Sequence, residues 1–515
     1  MNFDGEQRAG LKNCLIRNIK RNISMKLLLG PIMGAVTRTK AKVWIFYNRG
    51  QGQQVLPQCV VFKDENCIEK ISQSPFNTIS SSVHEIEGIH GIAGLAEISL
   101  ATDTEKSYYR IVFNASDQSE NNQTYTIRRS PEVGADIDSL SFALISCHRP
   151  SFKPGKDKKR VARMWRYLEE KMREHDCRFL IQAGDQVYAD KKPVNAWEKS
   201  LQAVTHEERL NHYRQTYLRS WDFLEVQQVM RTFPQYMIWD DHEIANGWGS
   251  DEKHWCDAAS RKVFEAARQA YIEFQHSHNP DSLRDNRLYF AFNYGPIAFL
   301  FLDLRGHRDI NRFDRKAEGG GYPLAGRQQW DDVRTWLNRE DVRESKMLCV
   351  VASVPVLHLS GSFGSLRKLK NDIADQWSME HNKKERRILL DLLYGWSGER
   401  KCPVLILGGD VHVGTLADVM EVETKTRIHQ ITSSPITNKT AWYVDIPLAL
   451  LGEKFDFHLE ENEKRRVKGR ITKRVRRRNF AIVDVKFADV KPSVTVHLYR
   501  KGWGRLKVES VEYHF

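Results

Sequence analysis

The chain has 515 residues and a mass of 59.9 kDa, long for one hydrophobic core, so two domains are the prior. Its 41% hydrophobic content and thirteen Trp exclude a disordered chain, and no run approaches the ~18 apolar residues of a membrane-spanning helix. A net charge of +13 would suit an anionic partner, yet ten basic residues crowd 464–478 (KRRVKGRITKRVRRR), and removing them leaves about +3.

Residues 1–24 contain no signal-peptide core and read as an extension. Met25 opens MKLLLGPIMGAV, which imitates such a core, but Pro31 interrupts it and strand-like alternation follows over Thr37–Val43. A first β-strand is therefore expected there. From Leu27 to about Ile127, runs rich in β-branched and aromatic residues predict short strands, among them Ala41–Tyr47, Gln58–Phe62 and Tyr108–Phe113. This spacing predicts a β-sandwich of immunoglobulin-like type over 25–136. Eight cysteines are scattered without a CxxC pair, which fits a reducing compartment. With no signal peptide recognised, the expectation is a cytoplasmic protein; an extracytoplasmic location stays open.

From Ser139 the pattern changes to alternating strands and helices. Phe142–Ile145 ends in Ser146-Cys147-His148-Arg149. Val161, Met164, Trp165, Leu168 and Met172 then fall on one helical face. Phe179–Ala183 ends in Gly184-Asp185-Gln186-Val187-Tyr188. Tyr236–Trp239 ends in Asp240-Asp241-His242-Glu243, and an amphipathic helix is predicted over Asp257–Phe274. Ile297–Leu302 leads to Asp303 and Arg305, Met347–Ala352 to Ser353, and Val404–Leu407 to Gly409-Asp410-Val411-His412. Unbroken apolar runs of this length suit strands buried on both faces. Alternation returns from Phe480 to the end, predicting strands that complete a sheet edge.

The polar residues cluster just past these strands, where open α/β sheets bind their ligands. Carboxylate and imidazole hold divalent or ferric ions, and thiolate and phenolate suit the more highly charged metal. Taken singly, each position has a plainer reading. Cys147 could be a buried thiol, Tyr188 a core aromatic and His412 a structural histidine. Asp303 and Arg305 could be an ion pair, and Glu243 could orient His242 or begin the next turn.

SCHR, GDQVYAD, IWDDHEIANGW, LDLRGHR and GGDVH, in this order, resemble the alkaline phosphatase D family of metallophosphatases over roughly 25–515. The resemblance implies a four-layer α/β/β/α catalytic domain over 137–515, behind the N-terminal sandwich. It implies a di- or trinuclear centre, iron plus calcium or another divalent metal, that hydrolyses phosphate monoesters or diesters through an activated hydroxide. By position it assigns Cys147, Asp185, Tyr188, Asp241, Asp410 and His412 to metal, with Asp185 bridging. His242 falls at the catalytic histidine, and Arg305 or Arg149 could clamp phosphate oxygens. A histidine that related enzymes carry after the fifth strand is missing, since His358 comes several residues late. The basic 464–478 segment, read as a solvated loop or helix face, raises a second reading: a diesterase acting on lipid headgroups at anionic surfaces. A third reading, of another class, is a non-catalytic binding protein with a relict metal site. Lys191–Ser220 and Asn311–Gln328, the latter with Gly319, Gly320 and Gly321, are expected to wall the substrate pocket.

Overall fold

A computed structural model describes residues 25–48, 56–79, 84–86, 89–113, 123–150, 156–251, 253–308, 321–358, 375–398, 401–438, 454–459, 465–487, 491–502 and 506–513. The 1–24 extension, Lys464, Gly319 and Gly320 lie outside these residues.

The first 100 or so described residues form two antiparallel sheets. One is ordered Lys26–Val36, Lys40–Asn48, Ile89–Ser99, Asn77–Thr78, with His84–Ile86 also paired to Ile89–Ser99. The other is ordered Lys70–Pro75, Gln58–Phe62, Lys106–Val112, Tyr125–Arg128. Strand periodicity decides what each side chain meets. Along Lys40–Asn48, Val43, Ile45 and Tyr47 join Cys59, Val61, Tyr109 and Ile127 in a core between the sheets. The alternate residues Trp44 and Phe46 point the other way, into the main core. There both rings pack against Phe274, and the Trp44 indole N–H donates to the Glu273 carbonyl at 2.7 Å. The strands expected at Ala41–Tyr47, Gln58–Phe62 and Tyr108–Phe113 are present within a residue or so.

The remainder is built on two larger mixed sheets. The six-stranded sheet runs Gln235–Ile238, Leu180–Ala183, Ser139–Ile145, Asn479–Lys486, Ser493–Lys501, Leu506–Tyr513; its first three strands are parallel. The eight-stranded sheet runs Phe290–Tyr294, Ile297–Leu302, Met347–Ala352, Val404–Gly408, Arg427–Thr432, Gly414–Glu421, Arg466–Val475, Lys454–His458. Within it, Ile297–Leu302, Met347–Ala352, Val404–Gly408 and Arg427–Thr432 are parallel neighbours. Phe299, Phe301, Cys349, Val351 and Leu407 face Phe142, Phe179 and Leu144 of the six-stranded sheet. Ala298, Leu300, Val350 and Ile406 face Trp330, Leu389 and Leu393 from the helices Arg327–Leu337 and Lys383–Ser397. Both faces of these strands are therefore apolar, which is why their sequences do not alternate.

The helix Lys156–Glu174 buries Val161, Met164, Trp165, Leu168 and Met172, the face its spacing predicts. Asp257 caps the helix Ala258–Phe274 by accepting from the Ser260 amide at 2.8 Å. One expectation needs correction. Within the described part of 464–478, Arg466–Val475 is a strand rather than a loop or helix, and only Arg465 and Arg476–Arg478 lie in connecting chain. Val467, Ile471 and Val475 turn inward while Arg466, Lys468, Arg470 and Lys473 are exposed. The final strands do complete the six-stranded sheet at one edge, as expected. No helix among the described residues is long and apolar enough to cross a membrane.

Candidate metal centre at the strand ends

Each parallel strand delivers a polar residue at its carboxyl end into one crevice. The backbone there departs from ordinary geometry. Cys147, Asp185, Asp410 and His412 have φ of 56°, 61°, 57° and 54°, in the left-handed region that non-glycine residues seldom enter. Such strain persists only where surrounding structure enforces it, and it gathers at functional sites. Close packing supports the turns. A Cβ on Gly184 would stand 2.6 Å from Asp240 Cβ, and one on Gly409 would stand 2.4 Å from the Ala183 carbonyl. Only glycine lets the Asp185 and Asp410 turns approach their neighbours this closely.

Asp185 is fully buried at the centre. Its Oδ2 accepts from the Tyr188 hydroxyl at 3.0 Å and from Cys147 Sγ at 3.3 Å. Tyr188 Oη lies 3.0 Å from His412 Nε2, and the Asn438 amide donates to Tyr188 Oη at 2.9 Å. Cys147, Asp185 and His412 thus present ligand atoms within 4.8 Å of one another. A second group, sharing Asp185, comprises Asp240, Asp241 and Asp410 on the same criterion. The first group mixes thiol, imidazole and carboxylate, with the Tyr188 phenol hydrogen-bonded to Asp185 beside it; the second offers carboxylates alone.

Electrostatics show a cage short of positive charge. Burial pushes the Asp185 and Asp410 carboxyls well above the usual range, and neighbouring carboxylates push further. Asp240 is raised to about 6, chiefly by burial, although Arg305 opposes this. Burial likewise raises the Cys147 thiol, with Asp185 adding to it. Burial holds His412 down at about 3, so its ring is neutral, as a metal ligand must be. Asp240 Oδ2 and Asp241 Oδ1 are buried with no hydrogen-bond partner among the described residues. Cations are what such a set of donors lacks, and the residues fit them.

His242 lies beside this cage. Its Nδ1 is 2.6 Å from Asp190 Oδ1, and its ring lies 4.0 Å from that of Tyr188. Burial would depress its pKa, but Asp190, Asp241 and Asp185 outweigh burial and raise it to about 10. Cations on Asp185 and Asp241 would withdraw part of that field. Asp190 was visible in GDQVYAD but was not singled out, because only the folded turn brings it to His242. Glu243 does not orient His242. Its carboxylate accepts the backbone N–H groups of Asp185, Gln186 and Asp240 at 3.1, 2.6 and 2.8 Å, tying two strand ends together.

Arg305 is fully buried, and its guanidinium is taken up by Asp240, by Asp375 at 2.7 Å and by the Trp248 carbonyl at 3.1 Å. The ion pair expected between Asp303 and Arg305 is therefore replaced. Asp303 Oδ1 instead accepts from the Trp239 indole at 2.7 Å and from the Arg305 and Gly306 amides. Arg149, by contrast, is exposed above the Tyr188 ring at 5.7 Å. It shares a pocket mouth with Lys191, Lys192, Thr216 and Ser220. The Lys191–Ser220 wall is thus present, but mostly as the helices Ala196–Gln202 and His206–Trp221 rather than loop. Residues 311–320 of the second expected wall lie outside the described residues. His358 is buried but supplies none of the closely grouped ligand atoms among those residues. Asn246 is exposed next to the cage. Gln376, which donates to Asp410 Oδ2 at 3.2 Å, had no sequence signal.

Comparison with known proteins places this arrangement. The solved "Structure of PhoD" aligns over 94% of this chain and 91% of its own, with a TM-score of 0.59 and 17% identity, a likeness of fold that takes in the N-terminal sheets. Alkaline phosphatase D of Bacillus subtilis (strain 168) is 24% identical over 307 residues. That alignment covers 56% of this chain and 47% of the relative, about half its length. The family model described as PhoD-like phosphatase matches residues 142–481, from the strand before Cys147 to the strand beyond the basic segment. On that match the chain belongs to the PhoD-like phosphatase family.

Proposed function

We propose that this chain is a metal-dependent phosphoesterase acting on phosphate monoesters, diesters or both, at a di- or trinuclear centre. The observation that carries the reading is the sharing of buried Asp185 among three groups of ligand atoms: with Cys147 and His412, with Asp240, Asp241 and Asp410, and with Asp241 and His242. Cys147, Tyr188, Asp185 and His412 would hold one ion, and this mixture of soft and hard donors suits iron. Asp185, Asp241 and Asp410, with Asp240 at hand, offer oxygen alone, which suits calcium or another hard divalent ion. Bound ions of this kind supply Lewis-acid charge to phosphoryl oxygens and lower the pKa of water from 15.7 towards about 7.

The chain's own residues do the rest. His242, held by Asp190, is placed to donate a proton to a leaving oxygen. Arg149, exposed at the mouth, is free of a buried role and suits phosphate oxygens. Arg305 is held between Asp240 and Asp375 inside the protein, so it serves the cage more readily than the substrate. The scaffold we read as a four-layer α/β/β/α sandwich over 137–515, with 25–136 as an immunoglobulin-like module. Opposed sheets flanked by helices support the first, and the two antiparallel sheets support the second. A cytoplasmic location belongs to the same reading and rests on the scattered free cysteines.

Aryl phosphate and bis-aryl phosphate, assayed with and without chelator, test this reading. Chelator-sensitive turnover of at least one is expected; no turnover of either by metal-replete protein would sink it. Action on lipid headgroups is favoured by one observation, the outward row of Lys468, Arg470 and Lys473 on a strand whose bulge at Thr472 brings Lys473 to the same face. Changing all three to Gln should weaken binding to anionic vesicles and leave small-substrate turnover intact. Undiminished vesicle binding would remove that reading.

A further inference from the structure

At the other end of the six-stranded sheet, His175, Asp484 and His497 bring one ligand atom each within 4.8 Å of one another. Asp484 pairs in register with Ser141, near the start of the strand whose far end leads to Cys147. That is about 20 Å away along an extended strand. His175 follows the last turn of the helix Lys156–Glu174. The pairing of Ile482 with His497 puts Asp484 and His497 on one face of the sheet. The three side chains are 14%, 21% and 20% exposed, so the group is sheltered but open to solvent.

Asp484 Oδ2 lies 2.8 Å from His175 Nδ1 and 3.0 Å from His497 Nε2. Each ring's far nitrogen meets a hydroxyl: His175 Nε2 meets Tyr499 Oη, and His497 Nδ1 meets Ser510 Oγ, both at 2.8 Å. A hydroxyl can donate or accept, so it will pair either tautomer. With protons on the far nitrogens, both inner lone pairs face the carboxylate and need a cation between them. Partners of this kind are what fix and orient metal-binding imidazoles. Asp484 Oδ1 adds a further sign, being buried with no well-formed hydrogen bond among the described residues although the Ser141 hydroxyl stands close to the carboxylate. The spacing is near what an ion needs: ligand atoms about 2.0–2.2 Å from one tetrahedral ion stand about 3.4 Å apart, so each imidazole has only about 0.5 Å to draw back.

We propose that His175, Asp484 and His497 form a second metal site, separate from the strand-end cage. Two imidazoles and one carboxylate select a divalent transition ion of the zinc class over calcium or magnesium. Three protein ligands leave a position for water on the open side. The ion pins the carboxyl end of the helix to the two C-terminal strands, joining elements more than 300 residues apart in sequence.

The test counts zinc on the full chain, stripped of metal, equilibrated with zinc alone and freed of excess. The unmodified chain is compared with a double His175→Gln, His497→Gln variant and with Asp484→Asn, which keeps the shape of the carboxylate. None of these positions belongs to the strand-end cage, so aryl phosphate turnover should be unchanged. The expected result is about one equivalent of zinc fewer per chain in both variants. Should the double variant lose its fold, Asp484→Asn alone gives the count. Equal zinc content in the unmodified chain and Asp484→Asn would overturn the proposal.

Discussion

The strand Lys40–Asn48 and the turn after Leu180–Ala183 are both buried, yet they obey opposite rules. In the first, alternate residues divide between two apolar cores, with Ile45 and Val43 on one side and Trp44 and Phe46 on the other. From Val43 to Tyr47 nothing is charged, the strand's two lysines, Lys40 and Lys42, lying at its more open end, and the backbone is regular strand. In the second, Asp185 sits fully buried at φ 61°, among Asp240, Asp241 and Asp410. Burial and mutual repulsion both oppose its charge. One region minimises its free energy by local consistency. The other keeps strain and like charge together, which a protein retains where a site requires it.

The contrast can be broken by substitution, since the two regions should fail in different observables. His242→Ala should lower turnover by about 10²–10⁴-fold while leaving thermal unfolding near its original midpoint. Asp190→Asn, which removes the partner but not the imidazole, should cost about 10–100-fold. Equal losses in the two variants would argue that the pair acts as one unit. Arg305→Met should act on stability instead, by about 3–5 kcal/mol in denaturant unfolding, because Asp240 and Asp375 would remain buried without their cation. A small change would mean that bound metal already neutralises these carboxylates. Ile45→Val sharpens the comparison from the apolar side. It should cost only about 0.5–1.5 kcal/mol and leave kcat and KM unaltered; a fall in kcat would tie the N-terminal sheets to the chemistry.

Much of the fold was legible because its signals are local. Period two in Ala41–Tyr47 and period 3.6 in Val161–Met172 each survive any arrangement of neighbours. The crevice was legible because acids and histidines follow apolar runs, as in Asp185, Asp241 and His412. Partners across the fold were not. Asp375 reaches Arg305 from 70 residues away, and Asn438 reaches Tyr188 from 250. Glu243 was half legible: it begins the next turn, accepting from the Asp240 amide, but its bonds to the backbone of the Asp185 turn rather than to His242 come from across the fold. The basic segment hid its strand because a bulge breaks the alternation: Val467 and Ile471 enter one core, whereas Val475, beyond the bulge at Thr472, enters the other. His175, Asp484 and His497 carried no motif at all, because helix end and sheet register alone unite them.

The central claim is that Asp185 and its neighbours form a metal cage serving phosphoester hydrolysis. Elemental analysis of purified chain, alongside Asp185→Asn and with aryl phosphate turnover measured on the same samples, tests it most directly. The account predicts iron with a second metal in the unmodified chain, and metal and turnover falling together in the variant. Full metal content and undiminished turnover in Asp185→Asn would contradict it.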